Sequence, residues 1–427
     1  MKKNLLLIIL FATCLPAVAQ KEKLPKMSAG FPINYEEDSV GTYTLPDLFT
    51  LSNGQKFSDV KTWTEKRRPE LVKLIEEIQY GKMPGRPANM RFDVFDKGTA
   101  AFNGKAIRKQ VTVYFTKDTV HKMDLLIFLP VNIQKPVPLL LNISFAATNQ
   151  STTDSSGKIG YTWTRDGKRV RADQPGRFSR LHVEQFIDAG IGFATVYYGD
   201  IEPDFKGGLP YGIRSQYLKP GQTTVNDNEW GAISAWAWGL SRAMDYFETD
   251  KQVDSKRIAL QGASRLGKTV LWTGVQDTRF KMVIASISGE GGAAIARRNY
   301  GENMKHITDT SRYYYQFAPA YHGYATKVDQ LPFDAHALVA LMAPRPLLLQ
   351  TGDSDYWSDP YGEFLSAVAA EPVYNLFGKQ GPGTSVWPAA GDTALLMNPL
   401  GYYRHKGGHT VLPEDWTRFI QYMKKFL

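Results

Sequence analysis

Short apolar runs recur from about residue 106 onward, alternating with longer stretches in which apolar positions return every three to four residues. KQVTVYF, MDLLIFLP and PLLLNISF read as strands, VEQFIDAG as a helix and IGFATVYYG as a strand again. A helix follows at WGAISAWAWGLSRAMDYFE, then a strand at RIALQG, a helix from Ser264, a strand at FKMVIASIS, a helix at DAHALVALMA, a strand at PLLLQTG and a closing helix at EDWTRFIQYMKKFL. Strands that are apolar throughout must be covered on both faces. The pattern therefore predicts an α/β fold, a mostly parallel sheet in a three-layer sandwich. In such sheets ligands bind beyond the carboxyl ends of the strands.

Residues 20 to about 105 are richer in Pro, Lys and Asp and offer one helix, TEKRRPELVKLIEEIQYG. Leu71, Leu74, Ile75 and Ile78 share a face there, and Gly81 stands where the helix should stop. This stretch is expected to be an extension wrapping the core, with residues 106–427 as the principal domain. No internal repeat is visible.

At the start, Lys2 and Lys3 precede LLLIILFATCL and then Ala17-Val18-Ala19. A basic end, an apolar stretch too short to span a bilayer and small residues before a cut site are the marks of a secretory signal peptide. Residues 1–19 are read as that leader, cut after Ala19, and the chain as secreted or periplasmic. The residues before Cys14 lack a lipoprotein context. Cys14 is the only cysteine, so the mature chain would have none, which excludes disulfides, thiol catalysis and thiolate metal sites. The formal charge of +9, two of it from Lys2 and Lys3, fits an ordinary solvated surface or attraction to acidic material such as uronic acid polysaccharides. No later apolar run reaches membrane-spanning length, and no dense Lys/Arg tract points to nucleic acid.

GASRLGK, residues 262–268, sits at a strand end. A strand turning abruptly into a helix strains the corner residue and lifts its side chain above the sheet, while small neighbours let strand and helix approach. Ser264 occupies that corner. The next backbone N–H, on Arg265, falls at a helix N-terminus, where an unpaired donor and the helix dipole favour an oxyanion. The pattern GxSxG would place glycine at 266, yet Leu266 stands there and the glycine arrives at Gly267. A serine capping the helix is the competing reading.

A nucleophilic serine needs a base. His409, in RHKGGHTVLPEDW, follows the last strand and precedes the final helix, as the chain order serine, acid, histidine requires. His405 competes locally but reads as part of the strand-like GYYRHK, and His306 and His336 read as structural. The third member is a carboxylate that fixes the histidine tautomer. PLLLQTGDSDYWSDP offers Asp353, Asp355 and Asp359, and SISGEGGAA offers Glu290. Asp355 is preferred, with Glu290 as the alternative acid. His405 and His409 are separated by two glycines that argue against a helix aiming both at one ion, so no metal or cofactor is expected.

GASRLGK, SGEGGAAIARR, LPFDAHALVALMAPRPLL, GDSDYWSDP and GGHT, in that order, resemble the glucuronoyl esterases, carbohydrate esterase family fifteen, particularly their exported bacterial branch. The resemblance runs from about residue 120 to the C-terminus. It implies an α/β-hydrolase that splits esters between 4-O-methyl-glucuronic acid on xylan and lignin alcohols through an acyl-enzyme. By the same resemblance Ser264 is the nucleophile, His409 the base and Arg265 the oxyanion partner, while Lys268, Glu302 and Trp357 contact the uronate. Three departures stand out: Ile287 where the family's commonest acid lies, Ala263 where many members have cysteine, and Gln316 where fungal members have tryptophan. Competing expectations are an acetylxylan esterase or broader carboxylesterase, and a noncatalytic carbohydrate-binding relative. The partner expected is glucuronoxylan or a lignin-carbohydrate ester, and a monomer is expected.

Overall fold

The computed structural model describes residues 24–131, 133–154, 156–174 and 180–427, and the leader expected over residues 1–19 lies outside them. Side chains alternate between the faces of a strand, so a strand apolar at every position can build two cores at once. Leu139, Leu141, Ile258, Leu260, Leu347 and Leu349 pack into one hydrophobic cluster. Their chain neighbours Leu140, Ala259 and Leu348 pack into another.

These residues belong to a nine-stranded sheet. Its strands are β1 (Arg91–Ala101), β2 (Ala106–Tyr114), β3 (Lys122–Pro130), β4 (Val137–Ser144), β5 (Gly192–Tyr197), β6 (Val253–Ala263), β7 (Met282–Ser286), β8 (Leu347–Gly352) and β9 (Leu400–His405). The spatial order is β9-β8-β7-β6-β4-β5-β3-β2-β1. From β9 to β5 all neighbours are parallel, and β3, β2 and β1 continue the sheet antiparallel. The division expected at residue 105 falls in the turn between β1 and β2, so Arg91–Ala101 is part of the sheet.

Helices cover both faces. Helix α1 (Arg68–Ile75), α3 (Ala232–Phe247), α4 (Arg265–Gln276), α5 (Ala335–Ala340) and α6 (Pro360–Leu376) feed the first cluster. Helix α2 (Val183–Asp188) and α7 (Pro413–Phe426) feed the second. Every residue of α3 is buried, with Arg242 and Asp245 paired at 2.7 Å so that their charges can be. The helical stretch 60–80 around α1 lays Trp63, Leu71, Ile75 and Tyr80 on the first core. It stops at Gly81, whose φ is 80° and where a Cβ would lie 2.3 Å from the Glu229 carbonyl oxygen. Among the described residues no helix is long and apolar enough to cross a membrane.

Candidate active site

Ser264 joins β6 to α4 with φ 59° and ψ −129°, a backbone state that costs a non-glycine residue roughly 1–3 kcal/mol. Its N–H donates to the Ser286 carbonyl of β7 at 2.9 Å, and its own carbonyl accepts from the Lys268 N–H at 3.1 Å. The hydroxyl makes no helix-capping bond, which removes the capping reading, and Ser264 lines a cavity. A Cβ at Gly262 would sit 2.4 Å from the Leu266 carbonyl oxygen, and one at Gly267 would sit 2.6 Å from that of Ser286. The close approach is thus made by Gly267, and Leu266 is buried in the core. This explains the delayed glycine.

The loop after β8 supplies the next groups. Asp355 Oδ2 lies 2.7 Å from His409 Nδ1, and Ser358 Oγ lies 3.0 Å from the same nitrogen. Opposite a carboxylate, Nδ1 carries the proton and Nε2 keeps its lone pair. His409 and Ser264 line the same cavity. The neighbouring acids are occupied elsewhere: Asp353 accepts from the Gly407 N–H at 2.8 Å, tying down the loop that carries His409. Asp359 caps α6 through the Gly362 N–H at 3.0 Å and pairs with Arg298 at 2.8 Å. His405 is fully buried, with Nδ1 2.8 Å from Asp415 Oδ2. Glu290 is buried without a hydrogen bond to His409, and desolvation, with Asp334 and Glu302 nearby, pushes its carboxyl well above the usual range. Of the two acids weighed from the sequence, Asp355 meets the imidazole and Glu290 does not.

Arg265 ion-pairs with Asp204. Its guanidinium carbon lies 4.5 Å from the centre of the Tyr313 ring and 5.9 Å from that of Phe145. Burial opposes its charge, but the Asp204 carboxylate outweighs this and raises its pKa. Lys268, one turn along α4, is buried; desolvation lowers its pKa and Glu302 partly offsets that. Glu302 accepts from Arg312 at 3.1 Å and donates its backbone N–H to the Trp357 carbonyl at 2.7 Å. The Arg312 guanidinium lies 5.1 Å from the centre of the Trp357 ring. Lys268, Glu302, Arg312 and Trp357 line, with Ser264 and His409, a cavity of about 250 Å³. A second cavity of about 930 Å³ shares Ser264, Arg265 and His409 and continues past Phe145, Trp163, Tyr198 and Phe205. Among the described residues no group of three His, Cys, Asp or Glu could hold a metal ion.

Residues 224–378 match a family model described as glucuronyl esterase, fungi. A carbohydrate esterase from an unknown prokaryotic organism is 41% identical over 399 residues, which span 91% of this chain and 91% of that protein. Among solved structures, a glucuronoyl esterase from Solibacter usitatus aligns with a TM-score of 0.86 at 43% identity, covering 91% of this chain and 99% of that one. The chain belongs to the glucuronoyl esterases. A promiscuous family-fifteen esterase from a marine bacterial metagenome aligns with this glucuronoyl esterase at a TM-score of 0.84 and 39% identity, over 92% and 100% of the two chains. Membership makes the fold that of an α/β-hydrolase and the enzyme class that of a carboxylic ester hydrolase.

Four residues of this esterase's site escaped the sequence reading: Asp204, Arg312, Tyr313 and Ser358. Arg312 directly precedes, and Tyr313 opens, the run YYYQF that contains Gln316, and Ser358 lies within DYWSDP, but Asp204 carries no local signal. Gln316 proves to be one of its partners, donating Nε2–H at 2.7 Å. Ile287 directly follows β7 at φ 42° and lines both cavities, a strained state for a β-branched residue. With isoleucine there and Glu290 turned elsewhere, the carboxylate on His409 comes from the loop after β8.

Proposed function

We propose that this glucuronoyl esterase hydrolyses esters of (4-O-methyl-)glucuronic acid carried on xylan, exported by its leader to reach that polymer, by serine catalysis. In this reading His409 takes the proton of Ser264 as its oxygen attacks the ester carbonyl, Asp355 holds the imidazole in the required tautomer, and Arg265 stabilises the oxyanion with its guanidinium and backbone N–H. The alcohol departs with the proton held on His409. Water then attacks the acyl-enzyme, giving a proton to His409, and the acid leaves as Ser264 recovers its own.

The observation that carries the reading is the small cavity beside Ser264. A buried cation, Lys268, the Glu302 carboxylate and the Trp357 ring line it together. Sugar hydroxyls need donors and acceptors, and a pyranose ring needs an apolar face, whereas an acetyl group would use none of these. The larger cavity, with Phe145, Trp163, Tyr198 and Phe205 in its wall, suits an apolar or aromatic alcohol on the leaving side. Initial rates on a benzyl glucuronate ester and on p-nitrophenyl acetate test this: the uronate ester should be strongly preferred, and a preference for acetate overturns it. A broader carbohydrate esterase is the second reading. It is favoured by the larger cavity's volume of about 930 Å³ and by the 39% identical relative described as promiscuous.

A further inference from the structure

The Asp204 side chain is 3% exposed, and four donors converge on it. Tyr198 Oη–H, at 3.1 Å, and Arg265 bond Oδ2, while Tyr315 Oη–H at 2.9 Å and Gln316 Nε2–H at 2.7 Å bond Oδ1. An ionised carboxylate accepts at about four sites and donates at none. Asp204 is therefore saturated, gripped from the segment after β5, from the first turn of α4 and from the loop at 313–316. Arg265 is the only one of these partners that also borders both cavities among the described residues. With Asp204 at its tip and its carbon 4.5 Å from the Tyr313 ring centre and 5.9 Å from that of Phe145, the guanidinium has few rotamers left. A free arginine side chain would have many. A donor serves a developing charge best when it is in place beforehand.

We propose that Asp204 is a positioning residue that acts through Arg265, holding the guanidinium where the two cavities meet so that its remaining N–H groups face the ester oxygen. This rests on the reading of Arg265 as oxyanion partner. Charge alone would give the opposite sign, because a carboxylate beside a cation weakens the field that the oxyanion feels. Fixed geometry and weakened field therefore push turnover in opposite directions, and the proposal is that geometry wins.

The experiment is a double-mutant cycle on the full chain: kcat and KM on benzyl glucuronate for the parent, Asp204→Asn, Arg265→Ala and the double variant. The rate at which a fluorophosphonate labels Ser264 is followed alongside. Asp204→Asn should lower kcat and labelling by about tenfold to a hundredfold with KM within about twofold, and should change kcat less than about twofold when Arg265 is already alanine. An equal loss in both backgrounds, or a rise in kcat, overturns the proposal. Unchanged kcat in Arg265→Ala alone would instead overturn the reading of Arg265. Should Asp204→Asn fail to fold, Tyr315→Phe removes one donor while leaving the charge. Its loss of kcat, severalfold by the same reasoning, must vanish in the Arg265→Ala background, and persistence there refutes the idea.

Discussion

At the scale of single residues, the two acids weighed as partners of the imidazole predict different losses. Asp355 touches His409 Nδ1, so Asp355→Asn should leave the fold intact yet lower kcat by about 10³ to 10⁴, the loss expected when the tautomer is no longer held. Glu290→Gln, with no such contact, should cost less than about tenfold by the same argument; steady-state kinetics on one uronate ester compares them. If Arg265 is the oxyanion partner, Arg265→Ala should cost about 10² to 10³ in kcat, since a lost oxyanion donor is worth roughly 3–4 kcal/mol; the melting temperature should fall as well, because Asp204 stays buried without its cation. The sequence carried Ser264, Arg265 and His409 because strand ends and chain order constrain them. It preferred Asp355 but kept Glu290 as an alternative, because side-chain direction, which the sequence does not show, separates them. Asp204 was illegible for a related reason: its partners Tyr198, Arg265, Tyr315 and Gln316 come from three separate parts of the chain.

At the scale of elements, strands that bury both faces announced themselves, and RIALQG, PLLLQTG and IGFATVYYG fall on β6, β8 and β5. The edge strand β1 did not. Its residues RFDVFDKGTAA are largely polar and exposed, and its pairing with β2 shifts register twice, so no clean alternation marks it. Helix α6 was hidden by an apolar sequence without a polar stripe and by Pro372 in its interior. The serine corner depends on a contact between elements, Gly267 against Ser286. Gly267→Ala should therefore cost about 1–3 kcal/mol of stability, the usual penalty for overpacking, together with most of the activity; urea unfolding and kinetics would measure both. Helix α6 also carries Glu363, fully buried beneath the Gly289 N–H, which it accepts at 2.6 Å. Desolvation raises its carboxyl from 4.5 to about 8. The folded chain thus keeps a proton that the unfolded chain has lost, so this group's stability is complete below pH 4.5 and is lost as pH climbs through about 8. Glu363→Gln keeps the acceptor and cannot ionise. Its melting temperature, relative to the parent, should rise across that interval, and a pH-independent difference refutes the assignment.

At the scale of the whole molecule, the side of the site lined by Lys268, Glu302 and Trp357 is braced from far away in sequence. The Asn34 side-chain amide donates to the Asn299 carbonyl at 2.7 Å, and the Gly301 N–H donates back to the Asn34 carbonyl at 2.8 Å. Arg298 ion-pairs with Glu37. These contacts hold the loop that leads into Glu302. Removing residues 24–37 should leave the sheet and its far-ultraviolet signature in place. If Glu302 contacts the sugar as proposed, the KM for a glucuronate ester should rise severalfold while hydrolysis of p-nitrophenyl acetate changes little. Equal losses on both substrates would refute this bracing role. The bracing was invisible to local pattern, because the stretch around Asn34 is neither periodic nor apolar.

Asn34 and Asn299 are separated by 265 positions. Synthesis makes the brace 265 residues ahead of its target, so Asn34 must stay unclaimed until that further length of chain exists. Closing so long a loop carries an entropic toll that a nearly finished sheet has already met. Refolding followed over time should accordingly restore backbone spectra first and grip on the sugar last.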